Sequence, residues 1–131
     1  MTPKNIMKKH NYDLEERLIN FAVVIIQFVE KLPNTKTANH LGGQLTRSGT
    51  SPALNYGEAQ GAESTQDFLH KVRVCLKELR ESQISLKIIS RAGLSPEAVT
   101  SPVLKECGEL VAIFTAIVKS TKDNLNKHKT D

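Results

Sequence analysis

The stretch from Arg47 to Ser64, RSGTSPALNYGEAQGAES, constrains the fold of this chain most strongly. Five of the seven glycines lie in it or just before it. Four small residues recur at every fourth position: Gly49, Ala53, Gly57 and Gly61. In a helix they would form a strip that another backbone can approach closely. A glycine inside a helix costs about 1 kcal/mol relative to alanine, so this spacing favours a packed helix. The alternative is a glycine-rich loop.

A second face of the same helix carries a polar ladder, defined as Arg47, Ser51, Asn55 and Glu58. At 100° per residue these side chains fall within about 80° of one another. We expect a hydrogen-bond network, buried in the bundle or at a subunit interface, in preference to a ligand site. A hydrolase that uses Glu58 with Arg47 is disfavoured because the ladder holds no histidine or cysteine and its serine has no adjacent base.

Helical periodicity and end signals divide the first half of the chain into two helices. Asp13 resembles a capping residue and predicts a first helix from near Leu14 to Pro33. The second helix begins after residues 34–37 and ends near Gly61, which can adopt the left-handed conformation. Pro52 predicts a kink or local break in this helix, with a split into two helices as the less favoured alternative.

The second half of the chain predicts two further helices. Ser64 resembles the cap of a third helix that extends to about Arg91, where Gly93 provides a Schellman stop. The fourth helix is predicted from about Pro102. We expect its core stripe to contain Leu104, Cys107, Val111, Phe114, Val118 and Leu125.

Four helices with short connections predict an all-α, antiparallel up-down four-helix bundle with a kinked second helix near Pro52. The bundle domain should span residues 13–126, between a basic flexible arm at residues 1–12 and a basic tail at residues 127–131. In the first helix Val23, Val24 and Ile26 widen the apolar surface beyond one stripe. This pattern indicates burial deep in the bundle or between subunits.

The run RSGTSPALNYGEAQGAESTQDF and the later KVRVCLKELRESQISLKII resemble the bacterial four-helix bundle family named for 23S rRNA intervening sequences. The resemblance covers about residues 14 to 125 and is most specific in the polar ladder, Phe68 and the Leu-Lys-Glu-Leu segment at residues 76–79. It implies a small homo-oligomer, notably a pentamer. The accessory protein of diversity-generating retroelements, which binds nucleic acid and a reverse transcriptase, resembles a relative of this family. This chain departs from the family in having Pro52 where an aliphatic residue is expected.

Composition narrows the classes of function. The formal charge of +4 indicates a mild preference for polyanions. Aromatic residues make up only 5% and tryptophan is missing, which disfavours recognition of single-stranded bases by stacking. Cys75 and Cys107 predict buried free thiols in a reducing, cytoplasmic protein. No secretory signal, membrane span, metal-ligand spacing or cofactor motif is evident, so we expect no enzyme activity, metal or cofactor.

A row of cations on the third helix is the strongest indication of a partner. Five cations fall within about 80° around the helix axis and extend over roughly 27 Å along it, a geometry suited to nucleic-acid phosphates. They are Arg73, Lys77, Arg80, Lys87 and Arg91. The alternative is a solvated face partly neutralised by Glu78 and Glu81. Ile84 and Ile88 lie in or beside this row and predict an oligomer contact.

These observations predict a non-enzymatic homo-oligomeric scaffold that binds structured RNA or duplex DNA through the five cations. The alternative is a protein-interaction module that recruits a partner such as a reverse transcriptase without strong nucleic-acid affinity of its own.

Overall fold

Four helices account for the architecture in a computed structural model that describes the backbone of residues 3–130 and the side chains of residues 13–127. They are α1 (Pro3–Glu30), α2 (Lys36–Gln60), α3 (Thr65–Arg91) and α4 (Glu97–Thr130). Consecutive helices pack side by side and run antiparallel, as contacts between α2 and α3 illustrate: the Ser82 and Ser48 hydroxyls meet, and so do Lys71 and Glu58. Helices α1 and α4 also meet, but much less closely than consecutive helices do. The predicted all-α four-helix bundle is confirmed.

Local capping fixes three helix ends where the sequence places them. The Thr35 hydroxyl accepts from the Ala38 N–H at 3.2 Å, and the Ser64 hydroxyl accepts from the Asp67 N–H at 3.0 Å. Gly93, at φ 73°, ends α3 in the predicted Schellman motif. Its N–H donates to Ser90 and the Leu94 N–H donates to Ile89, both at 3.1 Å.

One predicted cap conformation and two predicted helix starts are wrong. Gly61 caps α2 at φ −97°, outside the left-handed region, because its N–H reaches the Glu58 carbonyl in a tighter turn. Helix α1 begins at Pro3 and not near Leu14, since proline is favoured in a first turn and no helix breaker follows it. Helix α4 begins at Glu97 and continues through Pro102, which lies inside it. The Pro96 carbonyl already accepts from the Thr100 N–H at 3.1 Å, so the first helical turn forms there. The boundaries predicted at residues 12 and 127 thus fall inside helices.

Helix α2 continues without interruption through Pro52, so the predicted local break and the split into two helices are wrong. Pro52 is buried, and its carbonyl accepts from the Cys75 thiol at 3.5 Å. One turn earlier, the hydroxyl oxygens of Ser48 and Ser82 lie 2.8 Å apart in the core. Polar contacts therefore join α2 and α3 in the core around the proline.

The glycines of α2 permit close packing at two positions and not along the predicted strip. A Cβ on Gly49 would lie 2.8 Å from both γ carbons of Ile25, and a Cβ on Gly42 would lie 2.9 Å from a γ carbon of Val29. A Cβ on Gly57 would lie 4.0 Å from a carboxylate oxygen of Glu15, and one on Gly61 would lie 3.7 Å from the Glu58 carbonyl, so both would make only ordinary contacts. The close approach is not repeated along the strip because positions four apart advance by about 40° around a helix, whereas positions seven apart remain on one face.

The core is formed by one face of each helix. In α1 and α3 it follows helical spacing, as the buried Leu18, Phe21 and Ile25 of α1 show. The Tyr56 and Phe114 rings meet edge to face at 5.7 Å. In α4 the predicted stripe is only partly right: Cys107 and Phe114 are buried, but Val103 and Leu110 complete the buried face. The other predicted positions lie beside this buried face and are only half-buried: Leu104, Val111, Val118 and Leu125.

Both cysteines are buried free thiols, as predicted, and desolvation raises the pKa of each from 9.0 to about 12. Within the described part of the chain, no helical stretch combines the length and apolarity that a bilayer crossing requires.

Candidate nucleic-acid interface

The basic face consists of the five cations predicted on α3, and the structure exposes every one of them: Arg73, Lys77, Arg80, Lys87 and Arg91. Among the described residues, none of the five forms an ion pair within 4 Å. The cations that do form ion pairs are Arg17, Arg47 and Lys71. The basic face therefore remains available for an external anion.

The two carboxylates expected to neutralise the basic face turn away from it. Glu78 accepts from the Arg47 guanidinium at 2.9 Å, and Glu81 accepts from the other terminal nitrogen of the same group. The hydrogen bond from Arg47 lowers the pKa of Glu81 and raises that of Arg47. Arg47 thus offsets one of the two negative charges on this edge of α3 and engages both carboxylates by hydrogen bonds.

Lysines of α4 extend the positive surface beyond α3. A cavity of about 340 Å³ between α3 and α4 is lined by His70, Arg73 and Lys122, among others. A neighbouring cavity of about 430 Å³ is lined by Arg80, Lys119 and Lys122, together with Asp123. We call this surface the basic groove, defined as Arg73, Arg80, Lys119 and Lys122. The two lysines were not predicted from the sequence, although their spacing of three on a helix indicates a shared face.

The polar ladder is divided between two sets of partners. The Asn55 amide donates to the Ser51 hydroxyl at 2.9 Å, so these two residues bond to each other. Arg47 pairs with the two carboxylates on α3, and Glu58 pairs with Lys71 at 2.8 Å. The Arg47 and Glu58 side chains are 55% and 61% exposed, so these pairs link α2 to α3 at the surface of the chain.

The ladder does not assemble a catalytic pair. Arg47 and Glu58 lie about 16 Å apart along the helix axis at 1.5 Å per residue. Each is engaged by a different group of α3. The described side chains also contain no group of three or more histidine, cysteine or acidic residues that could hold a metal ion.

An apolar pocket of about 450 Å³ lies where α1 and α4 diverge. Its lining is mainly apolar, with Asp13 and Arg17 at the polar edge: Leu14, Tyr56, Phe68, Ile113 and Ile117. The Arg17 guanidinium donates to both carboxylate oxygens of Glu106, at 2.7 and 2.9 Å, and thereby connects the two helices. Burial raises the pKa of Tyr56, so its hydroxyl remains protonated at neutral pH.

Two helices carry exposed apolar patches within the part of the chain whose side chains are described. Ile84 and Ile88 on α3 are 59% and 48% exposed, within the basic face. On α1, Ile19, Val23 and Ile26 are each exposed by more than two fifths. The apolar widening noted in α1 is therefore not explained by burial within one chain.

Comparisons with known proteins agree with this architecture. One solved structure is that of a protein of unknown function from the S23 ribosomal protein family of Bacteroides thetaiotaomicron VPI-5482. It shares 27% sequence identity with this chain at a TM-score of 0.77, covering 83% of this chain and 97% of its own. A comparison with curated proteins gave no significant match. The sequence profile of the family described as 23S rRNA-intervening sequence protein matches residues 10–116, and this chain therefore belongs to that family.

Proposed function

We propose that this protein is a non-enzymatic, homo-oligomeric scaffold that binds structured RNA or duplex DNA through phosphate contacts. The observation that carries the proposal is the unpaired basic face on α3, whose neighbouring carboxylates are bound by Arg47. Unpaired surface cations bind phosphates by releasing condensed counterions, and this contribution does not depend on base sequence.

The basic groove adds a second row of cations parallel to the first. Arg73 and Arg80 lie on α3, whereas Lys119 and Lys122 lie on α4 across the groove. Among the described residues, no Phe, Tyr or Trp side chain lines either groove cavity, and His70 is the single aromatic ring there, so the groove offers little platform for stacking of unpaired bases. A double-helical backbone fits two parallel rows of cations better than a single strand does.

The test is binding of a labelled RNA hairpin and a DNA duplex of matched length, titrated from low to physiological salt. For duplex DNA, each lost phosphate contact should reduce the slope of log affinity against log salt by about 0.9. The variants Arg73→Gln/Arg80→Gln and Lys119→Gln/Lys122→Gln should each flatten the slope. The control Lys36→Gln/Lys105→Gln removes two exposed positive charges outside the groove and should leave the slope near that of wild type.

Equal effects of the groove and control variants would show that only net charge matters and would refute a defined interface. Failure of the intact protein to bind either nucleic acid at low salt would refute the proposal altogether.

The exposed Ile84 and Ile88 favour a second candidate, a protein-interaction module that recruits an enzyme such as a reverse transcriptase. Apolar contacts weaken little as salt rises, whereas phosphate contacts weaken steeply. Salt-insensitive binding of a protein partner, together with little affinity for nucleic acid, would favour this candidate.

A further inference from the structure

The outward face of α1 carries a row of apolar side chains that the bundle does not cover. Ile19, Val23 and Ile26 are exposed by 42, 45 and 43% and follow one another at intervals of four and three residues. This spacing keeps them on one face of the helix, opposite the buried Phe21 and Ile25. Single exposed apolar residues are ordinary, but a continuous row on one helix indicates a contact surface.

Carboxylates flank this row at both ends. Glu16 precedes Ile19 by three residues, and Glu30 follows Ile26 by four, so the same helical spacing continues through them. Neither carboxylate forms an ion pair with another described residue. The α1 face is thus an apolar centre between two unpaired negative charges.

The outward face of α3 has the opposite charges around a similar centre. Ile84 and Ile88 are the exposed apolar residues, and Lys77 and Arg91 flank them. Both cations lack an ion pair among the described residues. An isoleucine pair is poorly suited to a phosphate but well suited to an apolar side chain.

The two faces also match in length. Glu16 and Glu30 are separated by 14 positions, as are Lys77 and Arg91. Both distances are about 21 Å along a helix. Val23 lies midway between the carboxylates, and Ile84 lies midway between the cations. When Val23 meets Ile84, both carboxylates reach a cation, whichever way the two helices run.

We propose that the α1 face of one copy binds the α3 face of a second copy of this chain. The apolar centres form the buried part of the contact, and the flanking charges select the partner and its register, as flanking charges do in coiled coils. This inference rests on the proposed function, because it identifies the surfaces through which the scaffold assembles. The contact is heterologous, since each copy offers one face of each kind, and it generates a ring when the rotation closes.

The proposal assigns different roles to different parts of the basic face. Lys77 and Arg91 contact the second copy, whereas the basic groove lies towards α4 and remains open to phosphates. Assembly and nucleic-acid binding can therefore be separated by mutation.

The test is the native mass of the full chain in the absence of nucleic acid, by light scattering and native mass spectrometry. Val23→Glu and Ile84→Glu should each shift the wild-type oligomer to monomer, with helical content unchanged by circular dichroism. Val99→Glu is the matched control, because Val99 is 42% exposed on α4 outside both faces. It should retain the wild-type mass.

Mixing the two monomeric variants tests which faces meet. Val23→Glu retains an intact α3 face and Ile84→Glu retains an intact α1 face, so the mixture should form a 1:1 heterodimer that grows no further. Monomeric wild-type protein, wild-type mass in either variant, or failure of the mixture to pair would overturn the proposal.

Charge reversal tests the flanks. Glu16→Lys/Glu30→Lys and Lys77→Glu/Arg91→Glu should each weaken assembly, and the two double variants should pair with each other when mixed. Equal assembly of all these proteins would refute the role of charge. The groove variants Arg73→Gln/Arg80→Gln should retain the wild-type mass, so a failure of nucleic-acid binding is distinguishable from a failure of assembly.

Discussion

Replacing Gly49 by alanine should destabilise the bundle although alanine is the better helix former. The added Cβ would lie 2.8 Å from both γ carbons of Ile25 and 3.1 Å from its Cβ. Ile25 is fully buried and branched at Cβ, so its side chain has little freedom to rotate away. Either α1 must move away from α2 or Ile25 must leave its preferred rotamer.

The magnitude follows from a comparison within the same helix. Gly43 also lies inside α2, but a Cβ there meets nothing within 4 Å. Gly43→Ala should therefore raise the free energy of unfolding by about 1 kcal/mol through helix propensity alone. The same gain applies at Gly49, so the difference between the two variants measures the steric overlap. Overpacking of a core costs about 1–3 kcal/mol, which is the expected difference.

The assay is urea unfolding followed by circular dichroism, with every variant at one protein concentration because assembly contributes to stability. Ile25→Ala alone should cost about 2–5 kcal/mol. Adding Gly49→Ala to that variant should cost less than it does in wild type, since the contacting γ carbons are gone. Equal stability of Gly49→Ala and Gly43→Ala would refute the close approach of α1 and α2 at this glycine.

Two further predictions concern charges and thiols. Arg47→Gln should return the pKa of Glu81 towards its ordinary value, measurable by carboxyl NMR titration, because the hydrogen bond from Arg47 is what lowers it. The released carboxylates of the Arg47→Gln variant should also weaken RNA binding at low salt but not at high salt, where screening is stronger. Lys71→Gln, which releases Glu58 instead, is the control. Unchanged RNA affinity of Arg47→Gln at low salt would contradict the shielding role of Arg47. Cys75 and Cys107 should resist thiol reagents at neutral pH until the protein unfolds, since the pKa of each is raised to about 12. The folded state keeps these protons, whereas the unfolded state loses them above pH 9.0. The free energy of unfolding should therefore fall as pH rises beyond that value, by about 1.4 kcal/mol per pH unit for each thiol. Rapid labelling of the native protein at neutral pH would contradict the burial of the thiols.

Apolar periodicity predicts the helices and most of the core because burial of one face is what stabilises an amphipathic helix. The periodicity of α1 identifies Leu18, Phe21 and Ile25, all of which are buried. It locates helix ends less well, because a proline can lie at the start of a helix or inside it. Pro3 begins α1 and Pro102 lies inside α4, and the backbone bonds that decide this are not evident from the sequence. The side of α4 that is buried, with Leu110 covered in preference to Val111, depends on how α4 packs, mainly against α3, and is likewise hidden.

The sequence predicts which cations form the candidate site but not which carboxylates pair with cations beside it. Sequence spacing identifies the basic face, since all five cations lie on one helix. It does not show that Glu78 and Glu81 turn to Arg47, because that depends on how α2 packs beside α3. The contribution of Lys119 and Lys122 is hidden for the same reason, since the groove exists only where two helices meet.

The distribution of charge over the chain connects assembly with nucleic-acid binding. Carboxylates flank the outward face of α1, and the five cations of the basic face have no ion pair among the described residues because Arg47 binds the nearby carboxylates. If the α1 face of one copy covers Ile84 and Ile88 of the next, the apolar residues least suited to phosphate contact are buried and the basic grooves are repeated around the assembly. A monomeric Val23→Glu variant would then keep the salt dependence of one groove on a short duplex. It would lose affinity on a long duplex, where several grooves of an intact assembly act together.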